Sequence, residues 1–158
     1  MSYALLFPGQ ASQYVGMGRD LAEQWPAANR VYDLAEQASG LPLRRLCFEG
    51  PEDELTRTAN LQPAVVATSL AVLAAGYAEA GLSFEDGFPT PPSPPKAVAG
   101  HSVGEYTGLV AAGALSIPAA IALVAERGRL MEAASEENPG TMLALIGGDD
   151  DAAAALCA

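Results

Sequence analysis

The feature that most constrains the fold is a serine between two glycines, at the junction of an apolar run and a helical pattern. Residues 97–100 are Ala-Val-Ala-Gly, and Gly100-His101-Ser102-Val103-Gly104 forms the pattern Gly-x-Ser-x-Gly. A strand before this pattern and a helix after it are the context that a nucleophile elbow requires. Such a turn would expose the Ser102 hydroxyl at a helix N-terminus, where the helix dipole and free N–H groups stabilise negative charge. The sequence therefore predicts a nucleophilic serine, with an ordinary helix-capping serine as the alternative.

Short apolar runs separated by helical patterns predict an α/β fold with a mostly parallel sheet flanked by helices. We expect a buried strand over residues 3–7, ended by Pro8-Gly9, and a second strand over residues 97–101. A third strand is expected over 141–146, and turns are expected at 136–140 and at Gly147-Gly148. The five prolines within residues 83–96 indicate an exposed irregular loop. Helices are expected over 27–39 with Gly40 as the cap, from Pro51, from Pro63 to near Gly81, and over 103–114, 118–134 and 149–157.

Composition excludes several classes of function. The 158 residues include 19 acidic and 8 basic side chains, a net charge of -11, which disfavours binding to nucleic acid or to an anionic membrane. Cys47 and Cys157 are too few for a disulfide framework, and no Cys/His set has the spacing of zinc ligands. The N-terminus lacks the features of a signal peptide, and the apolar segment 64–78 is shorter than a membrane span. We therefore expect a soluble, cytoplasmic protein with no metal site.

His101 is the only histidine, yet its position argues against a role as general base. Adjacent side chains on extended backbone point in opposite directions, so His101 cannot easily reach the Ser102 hydroxyl. We interpret it as a residue that supports the elbow, with a plain packed histidine as the alternative. A serine needs a base to be a good nucleophile at neutral pH, and the sequence shows no other candidate histidine.

Arg127 lies within an apolar helical stripe, whereas Arg129 falls on the opposite side. A charge in such a stripe needs a partner to offset its desolvation. A substrate carboxylate is a suitable partner because guanidinium binds it bidentately, and a buried salt bridge to Glu105 or another acid is the alternative. At 100° per residue the stripe consists of Ile117, Ala120, Ile121, Val124, Gly128 and Met131.

Several motifs in the correct order resemble those of the malonyl-CoA:acyl-carrier-protein transacylases, which share a family with the acyltransferase domains of polyketide synthases. The elbow, with its histidine and Glu105, matches the family's, and the resemblance covers nearly the whole chain. The matching segments are 7–18 (opening with Phe-Pro-Gly-Gln), 58–64 (ending in Gln-Pro-Ala), 100–106 (Gly-His-Ser-Val-Gly-Glu-Tyr), 127–131 (Arg-Gly-Arg-Leu-Met) and 140–148.

The resemblance implies a role for each candidate site residue. Malonyl-CoA would be the substrate and the phosphopantetheine of an acyl carrier protein the acceptor, with no permanently bound cofactor. The implied roles are Ser102 as nucleophile, the Gln10 and Val103 backbone N–H groups as oxyanion donors, Arg127 as ligand of the malonyl carboxylate, Gln62 and Met131 as pocket lining, and Gly100, His101 and Gly104 as elbow support.

Family members are considerably longer, and their catalytic histidine lies downstream of the serine, after a ferredoxin-like small subdomain. The resemblance implies that residues 1–138, including the loop 83–96, form the N-terminal part of an α/β-hydrolase-like large subdomain. Residues 139–158 would be the truncated start of the small subdomain. We therefore expect the N-terminal portion of such an enzyme, weakly active or inactive alone, with a C-terminal half as a candidate partner.

Two other functions are compatible with the same residues. A serine thioesterase or esterase of the α/β-hydrolase class would share the elbow but would give Arg127 no role. A non-catalytic half-domain that binds carrier protein or a complementary chain would need no base. For docking to an acidic carrier protein, Arg44-Arg45 is the candidate basic patch.

Overall fold

The computed structural model describes residues 2–140 and 145–157, in which strands and helices are combined as expected for an α/β protein. The expected strand at 141–146 lies largely outside these residues, and the described Leu145 and Ile146 are not in a strand. The elements are β1 (Ala4–Phe7), α1 (Arg19–Gln24), α2 (Pro26–Ser39), α3 (Leu43–Phe48), α4 (Glu52–Thr56), α5 (Thr58–Glu79), β2 (Ala97–Gly100), α6 (Gly104–Ala111), α7 (Ile117–Glu137) and α8 (Asp150–Cys157).

The two strands pair in parallel, as the sequence predicted. Ala4 aligns with Ala97 and Phe7 aligns with Gly100, so both strands end at the same edge of the sheet. The loop that follows β1 and the turn that follows β2 consequently start side by side. Ligands of open parallel sheets bind at this carboxyl edge.

The prediction that β1 is buried is wrong, because the helices cover only one face of the sheet. Leu5 and Phe7 are half-buried, whereas Leu6, which points the other way, is 78% exposed. An apolar run predicts a strand covered on both faces, as in most parallel sheets, and it does not show which face is left open. Beside β1, a groove of about 720 Å³ extends between the strand and apolar side chains of α5.

Helix α5 is the centre of the hydrophobic core and packs between α2 and α7. It begins at Thr58 rather than at Pro63, and Pro63 therefore lies inside it. With 22 residues it is long and apolar enough to cross a membrane, which corrects the expected shortness of this segment. In its most apolar window 67% of the residues are buried within the protein, as in the core helix of a globular fold.

The other helices agree with the sequence pattern in type and differ mainly at their ends. Gly40 adopts a φ of 69° and donates its N–H to the Glu36 carbonyl, which confirms the predicted cap of α2. Helix α7 continues to Glu137, where a turn was expected from residue 136. The short helices α1 and α3 were not predicted, since six residues are too few to show a periodic pattern.

The proline-rich segment 83–96 is irregular, as predicted, but it is not simply an exposed loop. Phe88 is only 8% exposed, and its ring packs 4.9 Å from the rings of both Tyr77 and Phe84. The Ile117 N–H donates to the Asp86 carbonyl at 2.6 Å. Aromatic packing therefore anchors the segment to α5, and a hydrogen bond links it to the start of α7.

We expect the two cysteines to differ sharply in reactivity. Burial raises the pKa of the Cys47 thiol to about 12, whereas Cys157 is exposed. Native protein at pH 8 should alkylate only Cys157, and both cysteines should react after denaturation. Since an unfolded thiol has a pKa of about 8.5, folding stability should decrease as the pH rises from there toward 12.

Peptide-resolved mass spectrometry after brief exposure to iodoacetamide measures both rates, and Cys157→Ser is the matched control, which should leave no fast thiol. Equal labelling of the two cysteines in the native protein would contradict the burial of Cys47.

Candidate active site

Ser102 lies at the tip of a sharp turn between β2 and α6. Its φ of 54° is in the left-handed region, which residues other than glycine seldom occupy. Such a conformation costs on the order of 1–3 kcal/mol and persists only where the surrounding backbone holds it. Here the His101 N–H donates to the Phe7 carbonyl at 3.1 Å, and the Gly104 N–H donates to the His101 carbonyl at 2.9 Å.

The glycines on both sides of Ser102 allow three backbone segments to pack in direct contact. A Cβ on Gly100 would lie 2.1 Å from the carbonyl atoms of Gly104. A Cβ on Gly104 would lie 2.6 Å from the carbonyl oxygens of both Phe7 and Pro8. The pattern Gly-x-Ser-x-Gly therefore has a steric cause, because the first turn of α6 rests on the ends of both strands.

The His101 side chain is exposed and lies over the loop that follows β1. A Cβ on Gly9 would be 2.6 Å from the imidazole Nδ1 and 2.7 Å from the His101 carbonyl oxygen. Within residues 2–140 and 145–157, His101 and Ser102 share no side-chain hydrogen bond. His101 is thus placed to contact the β1 loop through both its ring and its backbone.

Gln10 and Val103 follow the two strand ends on the same edge of the sheet. Gln10 is half-buried in the loop that Ser12 closes by donating to the Gly9 carbonyl at 2.7 Å. Val103 is fully buried immediately before α6. No acceptor in the described part of the chain takes a hydrogen bond from the backbone N–H of Gln10 or Val103. Two backbone donors near the serine are therefore available to a ligand.

A continuous chain of hydrogen bonds connects the serine to the core. The Arg127 guanidinium donates to the Ser102 Oγ through Nη2 at 3.2 Å and to the Gln62 Oε1 through Nη1 at 2.5 Å. The Gln62 Nε2 donates in turn to the Met131 sulfur at 3.3 Å. The structure thus brings together the predicted nucleophile and all three residues predicted to bind substrate.

Arg127 and Gln62 meet because α7 packs closely against α5 at Thr58, one helical turn before Gln62. A Cβ on Gly128 would lie 2.7 Å from the Thr58 carbonyl oxygen and 3.0 Å from the Ala59 Cα. Sequence reasoning placed Gly128 in the apolar stripe but assigned it no role. Glycine inside a helix costs about 1 kcal/mol relative to alanine. That cost is the signal that could have indicated a close helix contact.

Arg127 differs in its electrostatic surroundings from the arginines that form ion pairs. Among the described residues no carboxylate is in ion-pair contact with it, and Glu105, the predicted structural partner, is exposed. Arg129, by contrast, is exposed and pairs with Glu126 at 2.6 Å. The half-buried Arg127 is therefore held by neutral groups, which leaves its charge available to an anion.

The candidate docking patch at Arg44-Arg45 is internally neutralised. Arg44 pairs with Asp33 at 2.5 Å and with Glu36 at 2.6 Å, and Arg45 pairs with Glu54 at 2.5 Å. These contacts leave little free positive charge for an acidic partner.

Fold and site together place the chain among α/β proteins that carry a serine elbow at the carboxyl edge of a parallel sheet. The profile of the acyl transferase domain family matches residues 4–155, and the chain therefore belongs to that family. It is 46% identical to the malonyl CoA-acyl carrier protein transacylase of Bacillus subtilis, in an alignment that covers 94% of this chain and 43% of that protein.

Solved structures show the same relationship. The malonyl-CoA:acyl carrier protein transacylase of Xanthomonas oryzae pv. oryzae superimposes with a TM-score of 0.81 at 36% identity, covering 99% of this chain and 48% of that one. A malonyl-transacylase in complex with its type II polyketide synthase acyl carrier protein superimposes with a TM-score of 0.71 at 39% identity, and the match covers 85% of this chain and 40% of that one. The chain thus spans about half the length of the relatives it matches.

The close packing at the elbow predicts that Gly104→Ala is destabilising. The added methyl group would be forced against two carbonyl oxygens of β1 and its loop, and overpacking of this kind costs about 1–3 kcal/mol. Gly76→Ala is the matched control, because Gly76 lies in α5 and no atom beyond its chain neighbours and its own helix backbone lies within 4 Å of the position that a methyl group would take; the variant should gain about 0.5–1 kcal/mol. Urea unfolding measures both changes, and equal free energies of unfolding for Gly104→Ala and wild type would refute the packing argument.

Proposed function

We propose that the protein transfers a malonyl group from coenzyme A to the phosphopantetheine thiol of an acyl carrier protein, through an ester on Ser102. The observation that carries the proposal is the Arg127 guanidinium, 3.2 Å from the Ser102 Oγ and not paired with a carboxylate of the described residues. An acyl group that ends in a carboxylate would give this cation its partner. The names of the relatives, which specify malonyl-CoA and acyl carrier protein, support the same substrates.

In the first half of the reaction, the Ser102 Oγ attacks the carbonyl carbon of the malonyl thioester. The bond between that carbon and the Oγ forms, the carbon–sulfur bond breaks, and the serine proton ends on the coenzyme A thiol. Negative charge that develops on the carbonyl oxygen would be stabilised by the unpartnered N–H groups of Gln10 and Val103. The strained turn suits this step because it presents Ser102 at the edge of the sheet where both strands end, and Gln10 and Val103 follow those strand ends.

In the second half, the carrier's phosphopantetheine thiol attacks the Ser102 ester. A new carbon–sulfur bond forms, the bond to the Oγ breaks, and the thiol proton returns to the serine. Arg127 would hold the malonyl carboxylate throughout both steps, since only one methylene group separates this carboxylate from the ester carbonyl. Water must be excluded meanwhile, because it would hydrolyse the same ester.

The general base is the part of the mechanism for which these residues offer no candidate. His101 is the only histidine of the sequence and does not bond to Ser102. We therefore propose that the base is supplied by a C-terminal half, as in the family resemblance, with residues 1–138 as part of the large subdomain and 139–158 as the start of the small one. The same observation favours a second candidate, a half-domain that binds carrier protein or a complementary chain without catalysis.

Arg127 separates the transferase from a serine thioesterase or esterase acting on uncharged acyl groups. A charged hydrogen bond to carboxylate is worth about 1.5–3 kcal/mol. Arg127→Ala should therefore reduce malonyl loading by roughly 10- to 100-fold and affect acetyl loading far less, since only the malonyl group carries the carboxylate. Intact-mass spectrometry after incubation with malonyl-CoA or acetyl-CoA measures the adduct, both on the chain alone and with a separately expressed C-terminal half.

Two controls sharpen this experiment. Arg129→Ala removes a nearby exposed arginine that is paired with Glu126, and it should load malonyl at the wild-type rate. Ser102→Ala should give no adduct. An adduct on Ser102→Ala, or an equal loss of malonyl loading in Arg127→Ala and Arg129→Ala, would contradict the assigned roles. Loading that is restored only when the C-terminal half is added would exclude the non-catalytic function.

A further inference from the structure

Gln62 is unsuited to line a substrate pocket, because it is fully buried. Its exposed fraction is 0%, and it is one of two polar residues in the buried core of the described chain. Arg127, which is half-buried, lies between the Gln62 amide and the Ser102 hydroxyl. An acyl group on Ser102 would therefore meet the guanidinium and not the amide.

The neighbouring groups allow the Gln62 amide only one orientation. The Met131 thioether sulfur has no hydrogen to donate, so the group 3.3 Å from it must be the amide nitrogen. The Arg127 guanidinium has no acceptor, so the group 2.5 Å from its Nη1 must be the amide oxygen. Met131 and Arg127 thus favour the same orientation of the amide. In this orientation the amide oxygen faces the guanidinium and accepts its hydrogen bond.

A neutral partner is what this position requires. A carboxylate in place of the amide would hold Arg127 more tightly but would neutralise it, and a substrate carboxylate would then have to displace it. The amide oxygen offers a dipole instead of a charge, so the guanidinium is oriented while its positive charge stays uncompensated. No described carboxylate performs that neutralisation now.

We propose that Gln62 is a positioning residue that sets the preference for carboxylated acyl groups by holding Arg127 beside Ser102, with Met131 orienting its amide. This inference rests on the proposed acyl transfer, but it concerns a residue that acts through Arg127 and does not touch the substrate. The pair Gln62 and Met131 therefore acts on specificity and not on the chemistry at the serine.

The first test follows Arg127 itself and needs no acyl transfer. Phenylglyoxal modification of Arg127, measured peptide by peptide with exposed Arg129 as internal reference, should become about tenfold faster in Gln62→Met, since one charged hydrogen bond is lost. Gln62→Glu should make it slower than in wild type, because an ion pair replaces the amide contact. Met131→Leu should give a smaller increase than Gln62→Met, because only the orienting acceptor is removed.

Unchanged modification of Arg127 in both Gln62 variants would overturn the inference. A parallel rise at Arg127 and Arg129, with a lowered Tm, would overturn it as well, since that result identifies Gln62 as a general core residue.

The second test is a double-mutant cycle on acyl preference, using whichever form of the protein loads Ser102. Gln62→Met should lower the ratio of malonyl to acetyl loading about tenfold when Arg127 is present and should not alter it in the Arg127→Ala background. The weaker malonyl preference should appear as a higher malonyl-CoA concentration for half-maximal loading, and the maximal rate of acetyl loading should stay the same. Gln62→Glu should lower the ratio further.

The two proposals fail in different ways. Equal effects of Gln62→Met in the two backgrounds would reject the positioning role while malonyl transfer stands. If wild-type Ser102 is loaded by neither thioester in any form, malonyl transfer is rejected, and the Arg127 modification rates still decide whether Gln62 positions the guanidinium.

Discussion

The contact between the ends of the two strands and the first turn of α6 is the constraint on which the site depends. Gly100 and Gly104 lie so close to neighbouring carbonyl groups that neither position has room for a methyl group. This packing is what keeps Ser102 in a left-handed conformation that it would not adopt alone. The Ser102 hydroxyl and two backbone N–H groups that have no acceptor among the described residues are thereby presented at one edge of the sheet.

A second close contact, between α5 and α7, supplies the charge at the same place. Gly128 lets α7 rest on the first turn of α5, and this brings Arg127 within hydrogen-bonding distance of both Gln62 and Ser102. Because the partners of the guanidinium are neutral, its charge is oriented without being cancelled. The two glycine contacts together define a serine beside an available cation, which is the chemical basis of the proposed acyl preference.

The sheet and its surroundings fit a family whose matched relatives extend about twice as far as this chain. Leu6 is exposed on the open face of β1, and the groove beside it is lined largely by apolar side chains. The same helices that leave this face open form a continuous core around α5, and α2 and α7 pack on it. Gln62 and Arg127 of the site lie on α5 and α7, two of the helices that form this core.

Local pattern alone determined the elbow, the parallel α/β class, the cap at Gly40 and the position of Arg127 in an apolar stripe. Each of these depends on spacing within one turn or one helix, which the order of residues encodes directly. Tertiary structure decided that Pro63 lies inside α5, that β1 is open on one face, and that Gln62 contacts Arg127, 65 residues away. The contact between Gln62 and Arg127 depends on where two helices cross, and the open face of β1 depends on which sheet face the helices cover. Pro63 lies inside α5 because that helix begins at Thr58. No local periodicity specifies these features.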